Sequence, residues 1–140
     1  MEEIKKVELR NLNIDDYQEL KESMIEAYRG WPGSFWQEKQ IKTLLEIFPE
    51  GQFAVLVYVK VVGCALSIIV NYKLFGDEHT YQEITGHYSF KTHKSNGDVL
   101  YGVDVFIRPE YRGLRLGRRL YDARKELCEN LNLRAIIFGG

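Results

Sequence analysis

The sequence VLYGVDVFIRPEYRGLRLG, residues 99–117, predicts more of the fold than any other segment. Residues 99–107 form an almost wholly apolar run that predicts a buried strand. Pro109 marks a turn, and the apolar positions from Leu116 to Leu127 have helical spacing. A strand, a glycine-bearing turn and a helix start leave unpaired backbone N–H groups at the positive end of the helix dipole. The segment therefore predicts an anion site whose natural ligand is a phosphate or pyrophosphate.

Positive charge is concentrated around this turn, although the whole chain carries a formal net charge of only −1. The arginines beside the turn are Arg112, Arg115, Arg118 and Arg119, and Arg108, Arg124 and Lys125 are expected to extend the same basic surface. The alternative is a solvated helix face whose cations pair with Glu110, Asp122 and Glu126. We favour a phosphate site because of the loop pattern rather than the number of charges.

The spacing resembles the pyrophosphate loop of the GCN5-related N-acetyltransferases, the GNAT superfamily. Their signature, Gln/Arg-x-x-Gly-x-Gly/Ala, has Arg112 at its first position and Gly117 at its last. Arg115 stands where a glycine is usual, which removes one point of easy backbone approach. The resemblance implies an α/β fold with a mixed sheet, the acyl-CoA N-acyltransferase fold, and acetyl-CoA as cofactor. It assigns the pyrophosphate to Arg112, Gly113, Leu114, Arg115, Leu116, Gly117 and Arg118.

The resemblance also implies roles for the strand before the loop. The backbone of Val105, Phe106 and Ile107 would pair with the pantetheine arm, and one of its N–H groups would polarise the thioester carbonyl. Asp104, between two valines, is the candidate catalytic base, because a carboxylate on a buried strand is costly unless it is paired or functional. The alternative for Asp104 is a salt bridge to a neighbouring arginine or lysine. Other candidate bases are Glu83 and His87.

The acceptor amine is expected near an aromatic cluster after the first helix. Tyr28, Trp31 and Trp36 are the candidate substrate-binding residues, since aromatic faces can line a pocket or stack on a cationic amine. Equally, these aromatics can simply close the core around a turn. Tyr101 and Tyr121 are considered as proton donors to the leaving thiolate, but neither is assigned. His79 and His93 are expected in solvent-exposed loops, and no metal site is predicted.

The apolar periodicity predicts the remaining elements. We expect a strand at 3–12, a helix after Asn13 with Asp15 and Asp16 in its first turn, and a second helix with a Ser34–Gln37 capping box. Two strands, 53–57 and 61–70, form a hairpin across an unusual Tyr58-Val59-Lys60 link, where Asn-Gly or Asp-Gly is preferred. A long segment, 71–96, contains a short helix that Thr80 and Glu83 cap and that ends at Gly86. A strand at 133–138 follows the third long helix.

Length and composition indicate one domain with a single core. The chain has 140 residues, of which 45% are hydrophobic and 28% charged, and no apolar run approaches the ~20 residues of a membrane span. We therefore expect no nucleic-acid or membrane partner. Cys64 and Cys128 lack a CxxC spacing and are expected to be reduced thiols of a cytoplasmic protein.

The resemblance covers nearly the whole chain but stops before the fourth helix and last two strands of a GNAT domain. Residues 1–140 are therefore expected to be a single N-acetyltransferase domain that is truncated at its C-terminal end. A finer likeness is to the acetyltransferase domain of proteins that fuse it to a carbon–nitrogen hydrolase. The unpaired sheet edge left by truncation favours a homodimer.

Three functions remain open at this point. The first is an acetyl-CoA-dependent N-acetyltransferase that transfers its acetyl group directly to the primary amine of a small molecule or peptide. The second is a non-catalytic module that binds CoA or acetyl-CoA and regulates an attached domain. The third is a dimerising fragment without a ligand.

Overall fold

The computed structural model describes residues 6–28 and 35–138. The strands in these ranges are β1 Val7–Asn11, β2 Phe53–Val57, β3 Lys60–Val70, β4 Val99–Ile107 and β5 Ala135–Phe138. The α-helices are α1 Tyr17–Ala27, α2 Glu38–Ile47, α3 Tyr81–Ile84 and α4 Leu116–Asn130. No helix in this described part of the chain is long and apolar enough to cross a membrane.

The five strands form one sheet in the order β1-β2-β3-β4-β5. The first four strands are antiparallel neighbours, and β5 runs parallel to β4. The parallel pair requires a crossover, and α4 supplies it between β4 and β5. The predicted α/β fold with a mixed sheet is confirmed.

Helices cover both faces of this sheet. On one face, Leu20 and Met24 of α1 and Leu44 of α2 pack against the central strand β3 in a fully buried cluster. On the other face, Leu116 and Leu120 of α4 pack against residues of β2 and β3. Both faces of β3 are therefore buried, which explains why its sequence is continuously apolar instead of alternating.

The N-terminal ends of α1 and α2 differ in how well the sequence predicted them. Asn13 caps the turn before α1, and the Asp16 carboxylate accepts a hydrogen bond from the Asn13 N–H at 2.8 Å, as the acidic first turn predicted. The predicted Ser34–Gln37 box for α2 is wrong. Gln37 has an extended backbone and is itself the cap, and its N–H donates to Oε1 of Gln40 at 2.9 Å. Ser34 lies outside the described residues.

The hairpin between β2 and β3 turns through only two residues, since Val57 pairs with Lys60. Tyr58 and Val59 have φ angles of 50° and 64°, in the left-handed region that two-residue hairpin turns require. This conformation explains why glycine or asparagine is preferred in such turns. The turn here is built from two residues that adopt it at a cost, and the β-branched Val59 is the less favourable of them.

The end of β3 extends beyond β2 and is covered by side chains instead. Gln52 donates from Nε2 to the Ser67 carbonyl at 2.8 Å and accepts from the Ser67 N–H at 2.9 Å. The Ile69 N–H donates to Nδ1 of His93 at 3.0 Å, and the His93 ring stacks on Phe48. The expectation that His93 is a solvent-exposed loop residue is therefore wrong. His79 is also partly buried, with its ring edge against Tyr101.

Several smaller boundaries also differ from the sequence prediction. Strand β1 begins at Val7, and the predicted start at residue 3 lies outside the described residues. Strand β5 begins at Ala135, because the residues before it form a turn in which Asn132 has a φ of 55°. Helix α4 continues three residues beyond the predicted Leu127, to Asn130. The short helix in the 71–96 segment is α3, in which Oγ1 of Thr80 accepts from the Glu83 N–H as predicted, but it ends at Ile84 and not at Gly86.

Candidate active site

A bulge in β4 lies next to the last described residue of β4 that pairs with β5. Leu66 of β3 pairs with Asp104, whereas the next residue of β3, Ser67, pairs with Gly102, so Val103 is the extra residue. Pairing between β4 and β5 reaches Gly102 opposite Phe138. Within the described residues, β4 therefore has no strand partner on its second edge from 103 to 107. Such an edge presents backbone donors and acceptors to whatever lies beside it.

The direction of these backbone groups follows from the register. The Arg108 N–H donates to the Val62 carbonyl of β3 at 2.8 Å. Because backbone groups alternate along an antiparallel pair, Val105 and Ile107 direct theirs away from β3, toward the open edge. These two residues belong to the segment that the resemblance assigned to the pantetheine arm, and Val105 is 45% exposed.

The chain passes from β4 into α4 through a loop with two left-handed residues. Gly113 has a φ of 92° and Arg115 a φ of 59°. No side chain caps the helix, which begins at Leu116. A helix start without a bond from its N-cap side chain is suited to an anion at the first-turn N–H groups of Gly117 and Arg118, and the anion site stays a prediction. A Cβ on Gly117 would lie 3.6 Å from Cδ1 of Ile107, an ordinary contact, so the ligand-free fold does not itself require glycine there.

The basic surface around the loop is smaller than the sequence predicted. Arg112, Arg115, Arg118 and Arg119 are exposed, as expected of residues beside an anion site. Arg108 and Arg124 are buried and do not extend that surface, so this part of the prediction is wrong. Arg108 donates to Oγ of Ser23 at 3.1 Å and pairs with Glu22 at 3.4 Å, which fixes the base of the loop against α1.

Asp104 lies at the centre of a hydrogen-bonded group on the α1 face of β4. Its carboxylate accepts from the Tyr28 hydroxyl at 2.7 and 2.9 Å and from Nε1 of Trp36 at 3.0 Å. The Val105 N–H also donates to it, at 2.8 Å. The structure thus brings together the predicted base and two of the three predicted substrate-binding residues. The third, Trp31, lies outside the described residues. Within the described residues no arginine or lysine forms a salt bridge with the carboxylate of Asp104, whose hydrogen-bond partners there are the neutral donors Tyr28, Trp36 and Val105.

Two tyrosines around Asp104 are strongly stabilised in their neutral form. Burial raises the pKa of Tyr28 well above its usual range, and the Asp104 charge and hydrogen bond raise it further. Burial, then the Asp104 charge, also raises the pKa of Tyr81, whose hydroxyl donates to the Val103 carbonyl at 2.6 Å. Both hydroxyls therefore act as hydrogen-bond donors at neutral pH.

The remaining candidates for proton transfer lie elsewhere. Tyr101 is 1% exposed, and burial raises its pKa to about 12, so it belongs to the core. Tyr121 is exposed on α4 and packs beside Phe138. Glu83 is exposed and accepts from the Thr80 hydroxyl in the cap of α3, while His87 is exposed with a φ of 54°.

A cleft of about 470 Å³ lies between the end of α1 and the loop after β4, lined by Glu26, Ala27, Pro109, Glu110 and Arg112. The cleft extends from Arg112, the first residue of the pyrophosphate signature, to the C-terminal end of α1, which Tyr28 follows. The described residues include no cluster of three or more His, Cys, Asp or Glu side chains suited to a metal ion.

Two residues at the bulge have roles that the sequence did not predict. Arg124 was expected on the exposed basic surface, but it lies on the buried stripe of α4 with Leu116, Leu120 and Cys128. A cation at four-residue spacing from these apolar positions was the available signal. Tyr81, which donates to the Val103 carbonyl, had no comparable signal because its helix α3 has only four residues and shows no apolar period.

Comparison with known proteins identifies the class. The profile of the acetyltransferase (GNAT) family matches residues 17–139, and the chain belongs to this family. The β4 bulge and the start of α4 are the features of this fold that lie at its candidate site.

Two relatives come from Bacillus subtilis (strain 168). The chain is 35% identical over 136 residues to the probable hydrolase YhcX, covering 97% of this chain and 26% of YhcX. It is 31% identical over 105 residues to the uncharacterised N-acetyltransferase YkwB, covering 75% of this chain and 46% of YkwB. The chain thus spans less than half the length of either relative.

Solved structures share the fold. The loading GNATL domain of CurA from Lyngbya majuscula superposes with a TM-score of 0.72 at 23% identity, over 88% of this chain and 58% of that one. The GphF GNAT-like decarboxylase in complex with isobutyryl-CoA gives 0.66 at 18% identity, over 82% of this chain and 55% of that one.

Proposed function

We propose that this chain is an acetyl-CoA-dependent N-acetyltransferase that transfers the acetyl group directly to a primary amine of a small molecule or peptide. The observation that carries the proposal is the continuity of two features. The open edge of β4 leads, through the Gly113 and Arg115 loop, to an uncapped helix N-terminus. The extended arm of a CoA thioester can form backbone hydrogen bonds with this edge of β4. The pyrophosphate at the end of the arm can bind the positive N-terminus of α4.

Acetyl-CoA supplies the activated acetyl group. The N–H groups from Gly113 to Arg118 bind its pyrophosphate, with Arg112, Arg115 and Arg118 adding charge. The backbone from Val105 to Ile107 holds the arm, and the Val105 N–H donates to the acetyl carbonyl oxygen, where negative charge develops during transfer. The relative YkwB and the isobutyryl-CoA neighbour GphF support an acyl-CoA of this kind.

Asp104 accepts the proton that the amine loses, directly or through one water. Tyr28 and Trp36 hold the carboxylate in one orientation and line the approach of the amine. As the new C–N bond forms and the C–S bond breaks, the negative charge leaves on the CoA sulfur. We assign no proton donor to that sulfur. The buried free thiols Cys64 and Cys128 support placing this activity in the cytoplasm.

One observation favours the second function, a CoA-binding regulatory module. Both oxygens of Asp104 already accept hydrogen bonds in the ligand-free chain, from Tyr28, Trp36 and Val105. A carboxylate held this fully can be a structural anion that shapes the edge of β4 without moving protons. This function predicts acetyl-CoA binding with no acetyl transfer.

Asp104→Asn distinguishes the two functions. The amide keeps the size of the side chain but cannot take up the amine proton. We therefore expect acetyl-CoA affinity to stay within about twofold and turnover to fall at least 10²-fold, the typical contribution of a general base. Release of the CoA thiol is measured with polyamines, aminoglycosides and amino-terminal peptides as acceptors.

A parent chain that binds acetyl-CoA but acetylates none of these amines favours the regulatory module. A parent that is active together with an equally active Asp104→Asn variant removes Asp104 from the mechanism.

A further inference from the structure

Arg124 is a buried cation that reaches from α4 to the bulge in β4. It is 2% exposed and is one of the largest fully buried side chains of the protein. Its Nε donates to Oγ of Ser67 at 3.1 Å, and its Nη2 donates to the carbonyls of Leu66 at 2.7 Å and Asp104 at 2.6 Å. Burial lowers its pKa to about 10, so the guanidinium remains charged at neutral pH.

The fold makes room for this side chain. A Cβ on Gly102 would lie 2.9 Å from Nη1 and 3.2 Å from Cζ of Arg124, so any side chain there would force the guanidinium to shift. The guanidinium carbon also lies 5.7 Å from the ring centre of Phe138, at the last described pair between β4 and β5. Arg124 therefore lies beside the last pair of β4 and β5 in the described residues.

The Asp104 carbonyl and the Val105 N–H belong to the same peptide group. In a trans peptide these two groups point in opposite directions. Arg124 binds the carbonyl from the β3 side, and the N–H points to the open edge, where Asp104 Oδ1 accepts it in the ligand-free chain. A charged donor on the carbonyl oxygen polarises the peptide and makes its N–H a stronger donor, since hydrogen bonds in series reinforce one another.

We propose that Arg124 is a positioning residue for acyl transfer: through the Asp104–Val105 peptide it strengthens and aims the N–H that receives the acyl carbonyl oxygen. The proposal rests on the proposed function for its consequence in catalysis. The polarisation itself is a property of the ligand-free chain. The Leu66 bond holds Nη2 in place beside the Asp104 carbonyl, and the Asp104 bond transmits the charge, so neither depends on the Nε bond to Ser67.

Three variants separate this role from simple packing. Arg124→Met removes charge and donors, Arg124→Lys keeps the charge with a single ammonium, and Ser67→Ala removes the Nε bond but leaves Nη2 on Asp104. Each variant is checked for folding by circular dichroism and thermal unfolding. The amide proton and nitrogen shifts of Val105 are then measured by NMR, and kcat and KM for acetyl-CoA are measured in the same chains.

We expect Arg124→Met to move the Val105 amide proton upfield and to lower kcat on the order of tenfold with little change in KM. That loss is part of the 10²–10³-fold effect of deleting an oxyanion donor outright, and a kcat effect marks an interaction made in the transition state. Arg124→Lys should lie between Arg124→Met and the parent. Ser67→Ala should lower stability while leaving the Val105 shift and kcat unchanged.

An unchanged Val105 amide in a folded Arg124→Met chain overturns the proposal, as does a Ser67→Ala chain that reproduces both effects. Where Arg124→Met does not fold, the parent chain decides. The proposal requires a scalar coupling across the hydrogen bond between the Asp104 carbonyl carbon and an Arg124 guanidinium nitrogen, and its absence overturns it. Failure of the proposed function is distinct, because it shows as a parent that does not bind acetyl-CoA.

Discussion

At the residue scale, Asp104 shows both the reach and the limit of sequence reasoning. Its position between two valines on a buried strand was enough to predict that it is paired or functional. Its partners were not predictable, because Tyr28 and Trp36 are 76 and 68 positions away along the chain. Pairings of this length depend on how α1 and the segment before α2 pack on the sheet, which local patterns do not encode.

The bond between Tyr28 and Asp104 should contribute measurably to stability. A hydrogen bond to a charged group contributes about 1.5–3 kcal/mol, and Tyr28→Phe removes it while keeping the ring beside Phe106. We expect the free energy of unfolding to fall by about 2 kcal/mol in urea titrations. A double-mutant cycle with Asp104→Ala should give a coupling energy above 0.5 kcal/mol. Additive effects of the two substitutions contradict a direct bond.

The strained hairpin makes a second prediction at this scale. Val59 is 76% exposed and holds a φ of 64°, which costs a β-branched residue about 1–2 kcal/mol. Because the side chain has little packing to lose, Val59→Gly should raise the free energy of unfolding, measured by urea titration, by about 1 kcal/mol. Val59→Ile keeps the branching and serves as the matched control. Equal or lower stability of the glycine variant contradicts the left-handed assignment.

At the scale of elements, the sequence predicted the order of strands and helices, because each long element has a clear apolar period. The ends were less predictable. The α2 cap is Gln37 with Gln40 instead of the predicted Ser34 with Gln37, and glutamine is not among the residues from which an N-cap is predicted. The loop before α4 kept its predicted place, and it positions Arg115 in the left-handed conformation where the family signature has glycine.

The contact between the 71–96 segment and β3 should depend on pH. Burial lowers the pKa of His93 below its ordinary 6.5, and its Nδ1 must be unprotonated to accept from the Ile69 N–H. The unfolded chain therefore binds the proton more readily, so this contribution to stability is complete above pH 6.5 and is lost as pH falls through the folded pKa. The pKa values of Asp16 and Asp98 are also lowered, so the contribution of these two carboxylates to stability is lost only at more acidic pH.

We expect the urea midpoint of the parent to fall between pH 7 and pH 5, and that of His93→Gln to fall less over the same range. The matched control is His87→Gln, because His87 is an exposed histidine of the same segment. Parallel curves for the parent and His93→Gln contradict the buried acceptor role.

At the scale of the whole molecule, β4 has no strand partner beyond Gly102 on its β5 side within residues 6–28 and 35–138, and the two relatives are much longer than this chain. The sequence predicted the fold well because the decisive loop, strand and helix are contiguous. It did not predict the buried path of Arg124, which joins α4, β3 and β4. The truncated C-terminal end, the homodimer and a fused hydrolase domain stay predictions.

The central claim is that the open edge of β4 and the start of α4 bind acetyl-CoA. The most direct measurement is calorimetric titration of acetyl-CoA into the parent chain and into Gly117→Pro, which lacks one first-turn N–H. We predict binding by the parent and loss of at least tenfold in affinity in the variant. S-acetylpantetheine, which has no pyrophosphate, should bind both chains alike. A folded Gly117→Pro chain that binds acetyl-CoA as tightly as the parent contradicts the account.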